Sequence, residues 1–206
     1  MSHYLEIHPD NPQKRLIKQA VEIIRDGGVI VYPTDSSYAL GCHIGDKNAL
    51  SRLRRIRQID EKHKLTLVCR DLSEIATYAR IENTDYRLLK SLTPGPYTFI
   101  LPATSEVPRR MMHPKRRFIG LRVMDHPIVN ALLEELGKPL MSCTLVMPGE
   151  ELPVTDAEDI RDQLEKHVDL IIDGGHCGIE PTTVIQLTGG APEIRRHGKG
   201  KDHGLD

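Results

Sequence analysis

Tryptophan is absent and phenylalanine occurs only twice in 206 residues, so aliphatic side chains must build most of the core. The same shortage of flat side chains, 4% aromatic overall, argues against a single-strand nucleic-acid platform that stacks bases on exposed rings. No apolar run approaches the roughly 20 residues of a membrane-spanning helix, and the polar start MSHYLEIHPD has no signal-peptide core. No membrane partner is therefore expected, and the cytoplasm is the expected compartment. The four cysteines, Cys42, Cys69, Cys143 and Cys177, lie far apart without a CxxC pair, which argues against a zinc knuckle or a thioredoxin-like motif and predicts free thiols. His176 precedes Cys177, but neighbours on a strand point to opposite faces, so no metal site is expected there. Nucleotide signatures are missing as well. There is no GxxxxGK[ST] loop and no GxGxxG, and Gly27-Gly28 precedes its strand instead of following it. No serine sits in a GxSxG elbow, which argues against an α/β-hydrolase.

What is present begins with residues 27–41, GGVIVYPTDSSYALG. Val29, Ile30 and Val31 form a short β-branched run, Pro33 ends it, and Thr34, Asp35, Ser36 and Ser37 follow at once. Side-chain oxygens thus cluster at a strand's carboxyl end, where open α/β sheets bind ligands. Upstream, Asn11 and Pro12 predict a helix start, with Leu16, Ile17, Ala20, Val21 and Ile24 at helical spacing up to the Gly27-Gly28 stop. Asp46 is positioned to cap a second helix with the stripe Leu50, Leu53, Ile56, and Leu65, Leu67 and Val68 predict the next strand. Further strands are predicted near 97–101, 118–123, 169–172 and 183–187, with helices near 127–136 and 155–166. Thr155 and Glu158 stand in capping-box register for the last of these. This alternation means an α/β or mixed α+β fold, one large domain over 1–198. The glycine-rich stretch 199–206 is expected to be a flexible C-terminal tail.

Net charge is only −1, yet the cations are unevenly placed. Arg52, Arg54, Arg55, Arg57, Lys62, Lys64 and Arg70 form one stretch; Arg109, Arg110, Lys115, Arg116 and Arg117 form another; Arg195, Arg196, Lys199 and Lys201 form a third. If they converge, they make a concave surface able to take a triphosphate or a nucleic-acid backbone.

Several segments, in order, resemble the YrdC/YciO family, whose founding activity is threonylcarbamoyl-AMP synthesis for tRNA modification. GGVIVYPTDSSYALG resembles its glycine-strand-PTxTxYGLG signature, TPGPYTFILPA its PGPxTxxLPA, and IGLRVMDHP its GxRxPxHP. DLIIDGG, PTTVIQLTG and EIRRHG follow its DxxxDGG, STVVDLT and xxxRxG segments. The resemblance implies a single YrdC-like domain with a large twisted mixed β-sheet, helices packed around it and a basic concave surface. It also implies ATP or an AMP-like nucleotide as ligand, Mg²⁺ with the ATP, and L-threonine and bicarbonate as co-substrates.

Matched position by position, Thr34 falls on the family's ligand-contacting threonine, Arg122 on the arginine of GxRxP, Thr183 on the hydroxyl of the ST pair, and Arg196 on the late phosphate-side arginine. The family's KxR motif falls on Arg57, Gln58 and Ile59, so the second cation is replaced by an apolar group. A family lysine aligns with His63, flanked by Lys62 and Lys64. The family's SxN falls on Thr144, Leu145 and Val146, keeping a hydroxyl and losing the amide. Each lost charge-assisted contact is worth about 1.5–3 kcal/mol, roughly ten- to a hundredfold if it acts in the transition state. Two readings follow: a threonylcarbamoyl-AMP synthase-like nucleotidyltransferase with an altered motif, and a non-enzymatic module for double-stranded or tRNA-like RNA. For the RNA module the backbone-contact candidates are Arg54, Arg55 and Arg110.

Overall fold

The computed structural model describes residues 1–113 and 115–205. Among these, the chain forms β1 (His3–Glu6), α1 (Lys14–Arg25), β2 (Ile30–Tyr32), β3 (Ala39–His43), α2 (Lys47–Arg57), β4 (Thr66–Val68), α3 (Leu72–Tyr78) and α4 (Asn83–Leu92). There follow β5 (Tyr97–Pro102), a 3₁₀ turn (Arg109–Met111), β6 (Phe118–Arg122), α5 (Pro127–Leu136), β7 (Leu140–Thr144), α6 (Ala157–Leu164), β8 (Leu170–Asp173), β9 (Thr183–Gln186) and β10 (Glu193–Arg196). The strands join one ten-stranded sheet in the order β1-β8-β2-β3-β7-β4-β6-β5-β9-β10. It is mixed: β8 runs parallel to β1 and β2, while β2, β3, β7 and β4 are successively antiparallel. No helix among the described residues is long and apolar enough to cross a membrane.

Among the described residues, α2, α3 and α6 each start after an aspartate whose side chain accepts from the first free N–H groups. Asp46 does cap α2, accepting from the N–H groups of Asn48 and Ala49 at 3.0 and 2.9 Å. The predicted starts of α1 and α6 shift. Gln13 precedes α1, and Asp156, not Thr155, caps α6 by accepting from Glu158 N–H at 2.9 Å. The end of the 27–41 stretch, residues 39–41, is part of β3, which pairs back on β2 as a hairpin.

The two faces of the sheet are buried differently. Leu50 and Leu53 of α2, Ile75 of α3, Leu89 of α4 and Ile160 of α6 pack on one face with Leu67, Phe99, Leu121 and Ile185. On the other, Ile17, Val21 and Ile24 of α1 and Ile128, Leu132 and Leu136 of α5 cover Ile30, Tyr32, Val68 and Leu170. The uncovered part of this second face carries small and hydroxylated side chains. Cross-strand partners share a face, and Thr66 is paired with both Ser142 and Gly120, which in turn faces Ile100. That row is the floor of the main cavity.

Candidate functional site

The cavity measures about 740 Å³. Its floor is the row Ser142, Thr66, Gly120 and Ile100 with Thr98 and Val184 beside it, and its walls are loops that leave the strand ends. Gly120 keeps the floor low, because a Cβ there would stand 3.3 Å from Thr66 Oγ1 and 3.4 Å from Thr98 Cγ2. The Ser142 hydroxyl is hydrogen-bonded to the Tyr32 hydroxyl at 2.5 Å.

The turn after β2 forms one wall. Thr34 Oγ1 accepts from the N–H groups of Ser36 and Ser37, each at 3.1 Å, and donates to the Ser37 carbonyl at 2.5 Å. A threonine hydroxyl has one donor and two lone pairs, so this side chain is fully engaged in building the turn. Thr34 lines the cavity, but its hydroxyl shapes the wall rather than standing free for a ligand. Next to it, Asp35 accepts a charge-assisted bond from Arg122 Nη2, with side-chain exposures of 12% and 10%. A pair this buried needs good geometry to offset the loss of hydration. Asp35 Oδ2 and Arg122 Nε nonetheless have no hydrogen-bond partner among the described residues.

Cations approach from two sides. Arg196, on β10, donates to the Thr182 carbonyl from Nε at 3.2 Å and Nη2 at 2.9 Å. Partial burial and then the nearby Arg122 charge lower its pKa. From the opposite side Arg57, the last residue of α2, donates to the Val146 carbonyl, and Lys62, His63 and Lys64 follow in the next loop. Burial first, and the Arg57 charge second, hold His63 below the usual histidine range, with Asp60 pulling the other way. Among the described residues, five Arg or Lys side chains, Arg57, Lys62, Lys64, Arg122 and Arg196, therefore line the cavity against a single lining carboxylate, Glu151. The lining thiol, Cys143, is pushed up to about 11 by burial despite Arg57 beside it, so it is not a ready nucleophile.

Of the residues singled out in the sequence, Thr34, Arg57, His63, Lys64, Arg122, Thr144 and Arg196 line this cavity. Thr183 does not. Its side chain is fully buried, donates to the Gly200 carbonyl at 2.5 Å and accepts from Gly198 N–H at 3.1 Å. Alternation along the chain is the reason: Thr182 and Val184 face the cavity, while Thr183 and Ile185 turn to the other side. Ile59 also leaves the site and packs against the main core, whereas Val146 lines the cavity and offers its carbonyl to Arg57. Arg54, Arg55 and Arg110 lie outside the lining; Arg54 Nη2 donates to the Arg110 carbonyl at 2.8 Å, which joins the first two basic stretches on the outer surface. Sequence reading missed Thr66, Thr98 and Ser142 on the floor. A lone hydroxyl within an otherwise apolar strand, as at Thr66, Thr98 and Ser142, was the available signal, usable only once the strands were placed side by side.

The stretch expected to form a flexible tail makes defined contacts up to Leu205, which packs against the core. Its final residue, Asp206, lies outside the described residues.

Comparison with known proteins places this geometry. The Sua5/YciO/YrdC family model, described as "Telomere recombination", matches residues 22–198. The chain is 59% identical over 200 residues to the uncharacterized protein YciO of Escherichia coli K12, covering 97% of both. The crystal structure of E. coli YciO superposes with a TM-score of 0.95 at 58% identity over 98% of both chains. A threonylcarbamoyl-AMP synthase of Vibrio vulnificus YJ016 is 30% identical over 161 residues, covering 77% of this chain and 86% of that protein. P. abyssi Sua5 complexed with L-threonine superposes with a TM-score of 0.88 at 26% identity, covering 96% of this chain and 58% of that one. On the family match and the identity to YciO, the chain belongs to the Sua5/YciO/YrdC family.

Proposed function

We propose that the cavity binds a nucleoside triphosphate and that the chain is a threonylcarbamoyl-AMP synthase-like nucleotidyltransferase acting on a carbamate of an amino acid or another amine. The observation that carries this reading is the crowding, among the described residues, of five cations in a single cavity against one lining carboxylate and the Asp35 that pairs with Arg122, with Arg122 still close enough to disfavour the charge on Arg196. Like charges held together lower stability, and a polyphosphate entering between them relieves the repulsion. The threonylcarbamoyl-AMP synthase of V. vulnificus and the L-threonine complex of P. abyssi Sua5 support the choice of reaction and of an amino acid.

In that reaction bicarbonate and the amine condense to a carbamate with loss of water. A carbamate oxygen then attacks the α-phosphorus of ATP, the bond to the pyrophosphate oxygen breaks, and pyrophosphate leaves. Such a transfer rests on positioning and charge stabilisation, and needs no protein nucleophile. Arg57, Lys62 and Lys64 hold anionic oxygens from one side, and Arg122 and Arg196 from the other. Mg²⁺ would be carried on the triphosphate and would neutralise part of its charge. Glu151 is the one lining carboxylate, and no group of three or more His, Cys, Asp or Glu able to hold a metal occurs among the described residues. The experiment is pyrophosphate release from ATP with Mg²⁺, bicarbonate and a panel of amino acids and amines. Release that exceeds an Arg122→Ala control for at least one amine is expected; none above that control for any amine defeats the synthase reading.

A second reading is favoured by the Arg54–Arg110 contact, which gathers the exposed Arg55, Arg109 and Arg110 into an outer basic surface suited to duplex or tRNA-like RNA. Recognition there is by shape and phosphates, so affinity falls steeply with salt. Duplex binding that is flat across a salt titration, or intact in Arg55→Glu/Arg110→Glu, counts against it.

A further inference from the structure

The family match ends at residue 198, yet the following residues are fastened to the cavity's walls. Gly200 accepts from Thr183 Oγ1 at 2.5 Å, and the Tyr97 hydroxyl donates to the Lys201 carbonyl at 2.8 Å. The path is too close-fitting for a side chain: a Cβ on Gly200 would lie 2.4 Å from the Tyr97 ring. Immediately before these anchors, Lys199 makes two contacts with different segments. Its N–H donates to the Pro181 carbonyl at 2.8 Å, and its Nζ donates to the Asp35 carbonyl. Pro181 and Thr182 belong to one wall, and the turn holding Thr34 and Ser37 to the other.

We propose that residues 198–205 form a strap over the back of the site, with Lys199 as the positioning residue that sets the separation of the two walls and so the affinity of the cavity for its ligand. The strap does not enter the cavity and touches no reacting group. It acts by holding the Asp35 main chain, and with it the Arg122 guanidinium that Asp35 pairs, at a fixed distance from the Thr182 carbonyl that anchors Arg196. Two cations from different strands are thereby preset for one anionic ligand, which lowers the ordering cost of binding.

The affinity arm rests on the nucleotide reading, so the strap is tested with a second measurement that needs no ligand. Amide hydrogen exchange at Ser36 and Ser37, whose N–H groups are held by Thr34, is compared in the wild-type chain, Lys199→Met, Lys199→Arg and Lys201→Met, alongside calorimetric titration with Mg²⁺-ATP. In Lys199→Met the two amides should exchange about tenfold faster, and ATP affinity should fall about five- to twentyfold. Lys199→Arg should restore most of both. Lys201→Met removes the same charge from the same segment and should change neither by more than about twofold. Wild-type exchange at Ser36 and Ser37 in Lys199→Met overturns the strap. Equal losses of affinity in Lys199→Met and Lys201→Met overturn the positioning role, because long-range charge then suffices. A wild-type chain that binds no ATP removes the nucleotide reading, while the exchange comparison still decides the strap. Gly200→Ala, which displaces the strap at Tyr97 and leaves every charge in place, should reproduce the exchange effect of Lys199→Met; failure to do so also counts against the proposal.

Discussion

Replacing Thr34 by valine keeps the volume and the β-branch and removes only the hydroxyl. That hydroxyl satisfies two backbone N–H groups and one carbonyl in a turn where Thr34 itself is 6% exposed. Each such bond is worth about 1 kcal/mol net, and a buried group left unpaired costs about 1–3, so three partners together set a loss of about 2–4 kcal/mol once partial relaxation is allowed. For a domain of this size 1 kcal/mol lowers the melting temperature by about 2–4 °C, so the expected drop is roughly 5–15 °C. Thr34→Ser should lose far less. Nucleotide affinity, measured well below the transition, should fall by no more than the roughly five- to twentyfold expected of Lys199→Met, and only through the loosened turn, since the donor and both lone pairs are already committed to it. Differential scanning calorimetry and titration on the same protein separate the outcomes. A melting shift under about 2 °C combined with a tenfold loss of affinity would refute the reasoning, because the hydroxyl would then be contacting ligand instead of holding the turn.

Arg122→Met strands the Asp35 carboxylate, which has 12% side-chain exposure, and should destabilise by about 3–5 kcal/mol, with Asp35→Asn added to it recovering a substantial part; a urea midpoint series checks this, and additive losses contradict it. Burial and then Arg57 lower the pKa of His63, so a bound anion raises its proton affinity, and sulfate, which does not titrate in this range, should bind more tightly as pH falls from 7.5 to 5.5. His63→Gln should lose part of that pH dependence; an unchanged profile assigns the effect elsewhere. Burial also lowers the pKa of His126, against Asp35, Asp125 and Asp10, and its Nδ1 has no partner among the described residues. The unfolded chain therefore takes up this proton first, and stability present above about pH 6.5 should decline on acidification by up to about 1.4 kcal/mol per pH unit, until the folded-state value is reached. His126→Gln should flatten that slope in melting curves between pH 7.5 and 5.5.

Elements whose signal lies in consecutive residues were legible. The α2 cap at Asp46, the α5 helix near 127–136 and the β-branched β2 could each be read locally, since caps and periodicity act over a few residues. The α3–α4 segment and β7 were not read. Leu72–Tyr78 is only two turns long, and LMSCT mixes apolar with small polar residues because one of its faces is a cavity floor. Within the site, Arg57, Arg122 and Arg196 were legible from their motif positions. On β9 it is Thr182 that lines the cavity and Thr183 that turns away, because a one-residue step along a strand moves a side chain to the opposite face.

By itself the sequence determined the family, the hydroxyl-rich turn at 33–37 and the excess of cations around 52–64, because each is written in contiguous residues. Only the tertiary structure decided that Arg57, Arg122 and Arg196 share one cavity while Arg54, Arg55 and Arg110 face outward, that Thr182 replaces Thr183 at the wall, and that Lys199 ties residue 35 to residue 181. The physical reason is the strand order. β7, β4, β6, β5 and β9 lie side by side, though they are far apart in sequence, and which side chains meet is set by register and pleat across those non-local pairs.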